Sequence, residues 1–344
     1  MAITINDVAN EAGVSKSTVS KVLNGWTTIS AETTSRVNEA IRKLNYIPNS
    51  RAVCFARQTT KNIVYLTNLG KAAAYYNPHM FDIMCGVHHQ LSECNFTLSL
   101  VDTSEEAFPG ERALMEIKSH SSDGLIVHGS AINKELADLL IKESFPHIII
   151  GHPEFNDRLC WIDTNHSLAG EYAAEHMCVC GYSNVVFIAG KRTDGISNQR
   201  LKGFRKKMLN EGHHIPKENI IYTNATRQGA YEATLSLIAS IKSSGSPLPD
   251  AIICENSELA VGTVSACHEQ SVDIPEEVAF LCFDRFPFSG ILSPEPSVID
   301  IDMYDIGVQA GDMMIKKLNN PELLIQSYTT LPLFIQGKST KPAH

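Results

Sequence analysis

Hydroxyl, amide and lysine side chains are concentrated near the start of the 344-residue sequence. This polar stretch contains Ser15, Lys16, Ser17, Thr18, Ser20, Lys21 and Asn24. Short polar groups hydrogen-bond to phosphate oxygens and base edges, and lysine donates to guanine acceptors in the major groove. The stretch therefore indicates a DNA-binding surface, although a solvated helix face would carry the same residue types.

The distribution of charge along the chain is relevant to the choice between a DNA-binding surface and a solvated helix face. Residues 1–60 contain seven Lys or Arg and four Asp or Glu, and carry a net charge of +3. Because the whole chain carries −9, the rest carries −12. A basic head on an acidic body suggests a module that binds a polyanion, but a chance fluctuation in a short segment explains the charge balance equally well.

Three short helices are predicted to position the polar stretch. Asn6 or Asp7 can cap the first helix, and Gly13 can end it. Ser15 or Ser17 can cap the second helix, and a third amphipathic helix follows. Two short helices joined by a tight glycine turn indicate a helix-turn-helix.

The same residues match a known signature in identity and spacing. It runs from Thr4 to Ser15, continues from Thr18 to Asn24, and is followed by Asn45-Tyr46-Ile47-Pro48-Asn49. With these motifs the head resembles the head-piece of the LacI/GalR family of bacterial transcription regulators. The resemblance implies major-groove contacts from Thr4, Ser15, Lys16, Ser17, Thr18, Ser20, Lys21 and Asn24. Lys21 stands where the family usually has arginine, so guanine readout should be less strict.

A hinge is predicted after the head. Residues 49–57 can form about two helical turns, which are marginal in water and need support from DNA and a partner chain. In the family, paired hinge helices insert an apolar side chain into the minor groove and kink the duplex. The resemblance places Asn49, Ala52 and Phe55 at this contact, with Phe55 in place of the family's leucine wedge. Phe55 could instead pack against the core domain.

The body of the chain alternates apolar runs with helical segments, which predicts an α/β fold of doubly wound parallel sheets. The predicted strands are Ile63–Thr67, Thr97–Val101, Gly124–Val127, His147–Ile150, Val185–Ile188, Ile220–Tyr222, Ala251–Cys254 and Val278–Phe283. The predicted helices are 78–94, 133–143, 168–180, 198–211, 228–242, 257–270 and 305–318. The resemblance implies two lobes like those of periplasmic sugar-binding proteins, with chain crossings near 160–163, 288–292 and 324–328.

These observations divide the chain into three parts. They are a helix-turn-helix domain at 1–48, a hinge helix and linker at 49–60, and an effector-binding and dimerisation core at 61–344. The N-lobe is expected at about 61–160 and 292–324, and the C-lobe at about 163–288 and 328–340.

Polar residues near the carboxyl ends of the predicted strands are candidates for an effector site, because open α/β sheets bind ligands there. The resemblance matches Arg200 to an arginine that donates paired hydrogen bonds, and Asp284 to an aspartate that accepts from sugar hydroxyls. Asn256 ends another strand. His79 and Met80 occupy positions where relatives often have aromatic residues that stack on the ligand.

Each candidate has a structural alternative. Arg200 can be a surface cation, Asp284 can cap a loop or helix, and Trp161, which precedes a crossing, can line the cleft or belong to the core. No G-x-S-x-G, glycine-rich phosphate loop or H-E-x-x-H motif is present, so neither catalysis nor a cofactor is expected.

The nine cysteines lack ligand-like spacing, so a structural metal is not expected. The sequence contains no long apolar run and does not start like a secretory signal, which predicts a cytoplasmic protein without membrane contact.

The sequence as a whole predicts a homodimeric, sequence-specific transcription regulator, most simply a repressor. Its affinity for a pseudo-palindromic operator in double-stranded DNA would be set by a small effector, a sugar or sugar derivative, held between two lobes. The alternatives are a cytosolic solute-binding protein and a regulator that responds to a protein.

Overall fold

The computed structural model of the chain divides into two compact units, a head unit and a core unit. The head unit comprises residues 1–61 and 120–123, and the core unit comprises residues 62–119 and 124–344. The structure describes residues 3–23, 25–47, 59–70, 79–104, 109–153, 155, 158–285, 289–323 and 327–341.

The described residues of the head unit form helices α1 (Ile5–Ala12), α2 (Lys16–Leu23) and α3 (Ala31–Leu44). Thr4, rather than the predicted Asn6 or Asp7, is the N-cap of α1. The Asp7 carboxylate accepts from the Thr4 amide and hydroxyl at 2.8 Å each. Gly13 ends α1 at a φ of +63°, which glycine adopts without steric strain. The predicted helix-turn-helix head is confirmed.

Small apolar side chains hold the head helices together. Val8, Val19 and Val37 are fully buried, and Ala12 and Ala40 nearly so. They occupy the inward faces of all three helices. The polar side chains of α2 are therefore left on the outside.

Two six-stranded sheets form the described core unit. The strands are β1 (Asn62–Thr67), β2 (Thr97–Asp102), β3 (Gly124–His128), β4 (His147–Ile150), β5 (Trp161–Thr164), β6 (Val185–Ala189), β7 (Ile220–Tyr222), β8 (Ala251–Cys254), β9 (Ala279–Phe283), β10 (Ser297–Asp300), β11 (Tyr328–Thr330) and β12 (Leu333–Ile335). The first sheet has the order β11-β5-β4-β3-β1-β2, and the second has β12-β10-β9-β8-β6-β7. The paired strands are parallel except for β10 with β12.

Helices cover both sheets. They are α4 (His79–Glu93), α5 (Pro109–Ser119), α6 (Lys134–Lys142), α7 (His166–Val179), α8 (Gly195–Asn210), α9 (Arg227–Ser244), α10 (Ser257–Glu269) and α11 (Met303–Asn319). The predicted doubly wound lobes are confirmed. Helix α5 and strands β5, β10, β11 and β12 were not predicted.

The chain passes between the lobes later than the sequence predicts. Strand β5 still belongs to the first sheet, so the first crossing follows Thr164 instead of lying at 160–163. Strand β10 belongs to the second sheet, which moves the next crossing from 288–292 to the segment before α11. Strand β11 joins the first sheet, so the last crossing lies between β11 and β12. In each case the chain forms one further strand in its sheet before it crosses to the other lobe.

Glycines let two helices of the second lobe touch. A Cβ atom at Gly170 of α7 would lie 1.9 Å from the carbonyl oxygen of Arg200, and one at Gly203 of α8 would lie 1.9 Å from that of Ser167. Real side chains never approach so closely, so both glycines are required by the contact. This contact fixes the position of α8, which carries Arg200.

Candidate DNA interface and effector site

The outward face of α2 carries most of the predicted DNA contacts. Ser15, Lys16, Ser17 and Lys21 are exposed, and Thr18 and Ser20 are partly exposed. The Ser15 hydroxyl accepts from the Thr18 amide at 3.2 Å and so caps the helix, as predicted. The Lys21 ammonium lies 5.8 Å from the centre of the Trp26 ring, within cation–π range. The exposed predicted contact Thr4 precedes α1.

The other predicted DNA contacts lie outside the described residues. They are Asn24, Asn49, Ala52 and Phe55, and the predicted hinge helix at 49–57 lies there with the last three. The minor-groove contact and the wedge therefore stay predictions.

Asp123 holds the chain segment that follows the predicted hinge. Its carboxylate accepts from the Thr60 and Lys61 amides at 2.7 and 2.9 Å. The hydroxyls of Thr59 and Thr60 donate to the same carboxylate. Lys61 adopts a φ of +53°, which these bonds help to maintain. Residues 59–61 therefore have one fixed arrangement in the head unit.

Arg200 and Asp284 form a buried ion pair in the second lobe. The two Nη atoms of Arg200 donate to the two carboxylate oxygens of Asp284 at 2.9 and 2.7 Å. Arg200 lies in α8 and Asp284 directly follows β9, where it adopts a φ of +65°. The sequence matched both residues to ligand contacts, and the structure pairs them with each other.

Electrostatics keep both members of the pair ionised. Burial would raise the pKa of Asp284, but the charge and hydrogen bonds of Arg200 outweigh it and hold that pKa below its usual value. Burial likewise opposes the charge of Arg200, and Asp284 raises the pKa of the guanidinium despite it. The buried Nε of Arg200 has no hydrogen-bond partner among the described residues, so the guanidinium retains a donor.

Glu255 is a second buried carboxyl at this place, which the sequence analysis missed. Its Oε2 accepts from the Ser197 hydroxyl at 2.6 Å and from the Gly190 amide, and its carbonyl oxygen accepts from Arg200 at 2.7 Å. Burial raises the pKa of Glu255 above its usual value, although these hydrogen bonds oppose the shift. Its place directly after β8, beside Asn256, is the signal that could have identified it.

Asn256 caps a helix. Its side-chain oxygen accepts from the Leu259 amide at 3.0 Å, at the N-terminus of α10. This bond positions the turn between Glu255 and α10. Asn256 thus lies at the same sheet edge as Arg200 and Asp284, with its side-chain oxygen already used.

The candidates from the first lobe have different surroundings. His79, at the start of α4, lies close enough for its charge to lower the pKa of Asp284. Met80 is buried and accepts from the Thr67 hydroxyl at 3.2 Å. Trp161 packs against the apolar core of the first lobe, and its ring centre lies 4.3 Å from that of His152. His79 therefore lies within electrostatic range of Asp284, whereas Met80 and Trp161 have partners in their own lobe.

His166 is another buried group near the pair that the sequence analysis missed. It begins α7 directly after the first crossing, and its Nε2 lies 3.3 Å from Oδ1 of Asp163. Its charge, like that of His79, lowers the pKa of Asp284. His79 and His166 thus both lie within electrostatic range of Asp284.

Comparison with known proteins gives the family. Residues 4–49 match the bacterial regulatory proteins of the lacI family, and residues 174–340 match the periplasmic binding protein-like domain. The chain therefore has a lacI-family head and a body that resembles periplasmic binding proteins. Members of this family are DNA-binding transcription regulators with a ligand-binding domain, so the resemblance seen in the head of the sequence is confirmed.

Relatives in this LacI family match the chain over nearly its full length. The catabolite control protein A of Staphylococcus xylosus is 26% identical over 99% of both chains. The lac repressor dimer bound to operator and the anti-inducer ONPF has the same fold, with a TM-score of 0.78 and 19% identity over 99% of both chains. The CelR–cellobiose complex aligns with a TM-score of 0.71 and 20% identity, covering 98% of this chain and 99% of CelR.

The described residues contain neither a candidate metal site nor a candidate membrane-spanning helix. In the described ranges, no three His, Cys, Asp or Glu side chains are grouped so that they could hold a metal ion. None of the helices described is long and apolar enough to cross a bilayer.

Proposed function

We propose that this protein is a transcription repressor whose operator affinity is set by a sugar or sugar derivative bound between the two lobes. The buried Arg200–Asp284 pair at the carboxyl edge of the second sheet carries the proposal. It lies within electrostatic range of His79 from the other lobe. Paired donors and acceptors in a cleft between two sheets suit the hydroxyl groups of a small polar ligand.

The DNA-binding part of the proposal assigns α2 to the major groove. The exposed hydroxyls would position the helix on phosphates, and Lys16 and Lys21 would add charge attraction and base contacts. Asn24, Asn49, Ala52 and Phe55 complete the proposed interface, with Phe55 as the minor-groove wedge.

A homodimer would bring two such heads to the half-sites of a pseudo-palindromic operator. The lac repressor structure with the same fold is a dimer on its operator, which supports this arrangement. In the proposed division of labour, residues 1–48 bind DNA, 49–60 form the hinge and 61–344 bind effector and partner in the cytoplasm.

A sugar effector is supported by chemistry and by similarity. CelR, which has this fold, is in complex with cellobiose. Effector binding would change the closure of the lobes and thereby the ability of the hinges to order on DNA. A coupling free energy of about 1–3 kcal/mol is enough to change operator affinity by about 5–150-fold.

The test is selection of genomic DNA fragments by the purified full-length protein, with and without a panel of sugars. Enrichment of one palindromic site, and its loss with one sugar, is the expected result. If a sugar instead increases the enrichment of a site, the protein is an activator or a repressor that needs the sugar as a corepressor. No enrichment at low salt under any condition would contradict DNA regulation and favour a solute-binding protein.

A further inference from the structure

The strongest unused feature of the second lobe is the carboxyl group of Glu255, which is only 3% exposed. It lies at the carboxyl edge of the sheet and follows β8 as Asp284 follows β9. Asp284 already supplies the carboxylate that pairs with Arg200. The function of Glu255 therefore needs a separate explanation.

The hydrogen bonds of Glu255 leave one oxygen available. Both donors from the protein, the Ser197 hydroxyl and the Gly190 amide, go to Oε2. Within the described residues no hydrogen bond uses Oε1. Oε1 is not among the fully buried polar atoms that lack a partner, so it keeps some contact with solvent. A ligand hydroxyl or ammonium group beside Oε1 would replace that contact with a hydrogen bond.

The charges around this oxygen disfavour an anion. The positive charge of Arg200 is already matched by Asp284. Asp194 lies near enough for its charge to raise the pKa of Glu255 further. A phosphate or carboxylate ligand would meet these acids in a poorly solvated site, where like charges repel strongly.

We propose that Glu255 is an effector-contacting residue that restricts the effector to hydroxylated compounds without negative charge, either neutral sugars or amino sugars. The inference rests on the proposed function and names the ligand class of the same site. Burial, which raises the pKa of Glu255, is consistent with a carboxyl that gains a donor when the ligand arrives.

The test uses matched sugars and isothermal titration calorimetry on the full-length protein. The probes are glucose, glucosamine and glucose 6-phosphate, the same three forms of galactose, ribose with ribose 5-phosphate, and cellobiose. We expect at least one neutral or amino compound to bind, and its phosphorylated form to bind at least tenfold more weakly. A phosphate that binds more tightly than its parent sugar overturns the proposal, and so does a panel in which no neutral or amino compound binds.

A substitution tests the residue itself. Glu255→Gln keeps an acceptor for Ser197 and Gly190 but puts a donor in place of Oε1. The affinity of the variant protein for the neutral or amino compound should fall by about tenfold. The ratio between its affinities for this compound and for the phosphorylated form should become smaller. The matched control is Glu258→Gln, an exposed acid in the first turn of α10, which should leave both unchanged.

Wild-type selectivity in the Glu255→Gln variant would refute the assignment of Glu255. The phosphate comparison on wild-type protein decides the ligand class even if that variant does not fold. Fragment selection on the same wild-type sample separates the two proposals. Operator enrichment with a phosphate preference contradicts only the inference, whereas lack of enrichment contradicts the regulator.

Discussion

Arg200 and Asp284 pair their charges where their side chains are only 3% and 9% exposed. The pair joins the middle of α8 to the residue that follows β9. A buried pair of this kind gains little net stability over packed apolar side chains, because both charges lose their hydration. Its value lies in holding two polar groups in a fixed geometry at the edge of the sheet.

Replacement of one member or of both should therefore have different effects. Arg200→Met leaves Asp284 buried and unpaired, and should lower the free energy of unfolding by about 3–5 kcal/mol. The double change Arg200→Met with Asp284→Leu should recover much of this loss and retain operator binding, but lack the effector response. Urea unfolding and operator titrations with and without sugar measure both properties.

The control for this pair is Lys202→Met, an exposed substitution on the same helix, which should change neither property. A double variant as unstable as Arg200→Met would contradict the account of the pair. A double variant that still responds to the sugar would remove the pair from the effector site.

The strands that could be predicted from the sequence are those whose burial on both faces requires an unbroken run of apolar residues. Strands such as β6 and β9 are continuous apolar runs because both faces of a central parallel strand are covered. Strands β11 and β12 have three residues each and are largely exposed, so their residues carry no such signal. Their place in the sheets depends on pairing with distant strands, and the last of the three predicted crossings was misplaced for that reason.

The same limit applies to the candidate site. Arg200 and Asp284 were identified through motifs, but their mutual pairing joins residues 84 positions apart. Nothing in local spacing indicates that one satisfies the other. Glu255 was missed because a lone acid after a strand usually marks a solvated loop, and only the burial of its carboxyl distinguishes it.

The close approach of α7 and α8 gives a second prediction. Gly170→Ala would place a methyl group against the Arg200 carbonyl, so the helices must separate. The free energy of unfolding should fall by about 1–3 kcal/mol or more, and effector affinity should fall because α8 carries Arg200. Gly195→Ala on α8, where a Cβ atom meets nothing within 4 Å, is the matched control and should not destabilise. Equal stability of the two variants would refute the contact.

His176 should make stability depend on pH. Its Nε2 lies 2.8 Å from the Thr340 hydroxyl and its ring 4.2 Å from that of Phe334, and burial lowers its pKa to about 4. Between about pH 6.5 and 4 the unfolded chain therefore binds a proton that the folded chain excludes, and stability falls as the pH falls.

His176→Gln removes this proton linkage and keeps a hydrogen-bonding group. Between pH 7 and 5, the variant should lose about 2 kcal/mol less of its free energy of unfolding than the wild type. Urea unfolding at the two pH values measures this, with exposed His214→Gln as the control. An unchanged pH dependence in His176→Gln would show that the pKa of His176 is the same in the folded and the unfolded chain.

Asp123 gives the last prediction, because it fixes the segment that links the hinge to β1. Asp123→Ala removes the acceptor of the Thr60 and Lys61 amides. Amide hydrogen exchange at these two residues should accelerate by about tenfold or more, because each amide loses the hydrogen bond that protects it from exchange. Exchange in α1 and α3 should stay unchanged, and the exposed control Asp138→Ala should alter neither region.

If residues 59–61 transmit lobe closure to the hinge, Asp123→Ala should also weaken the effect of the sugar on operator affinity. The affinity of the protein for the sugar itself should stay the same. Faster exchange with a full effector response would confine Asp123 to a structural role.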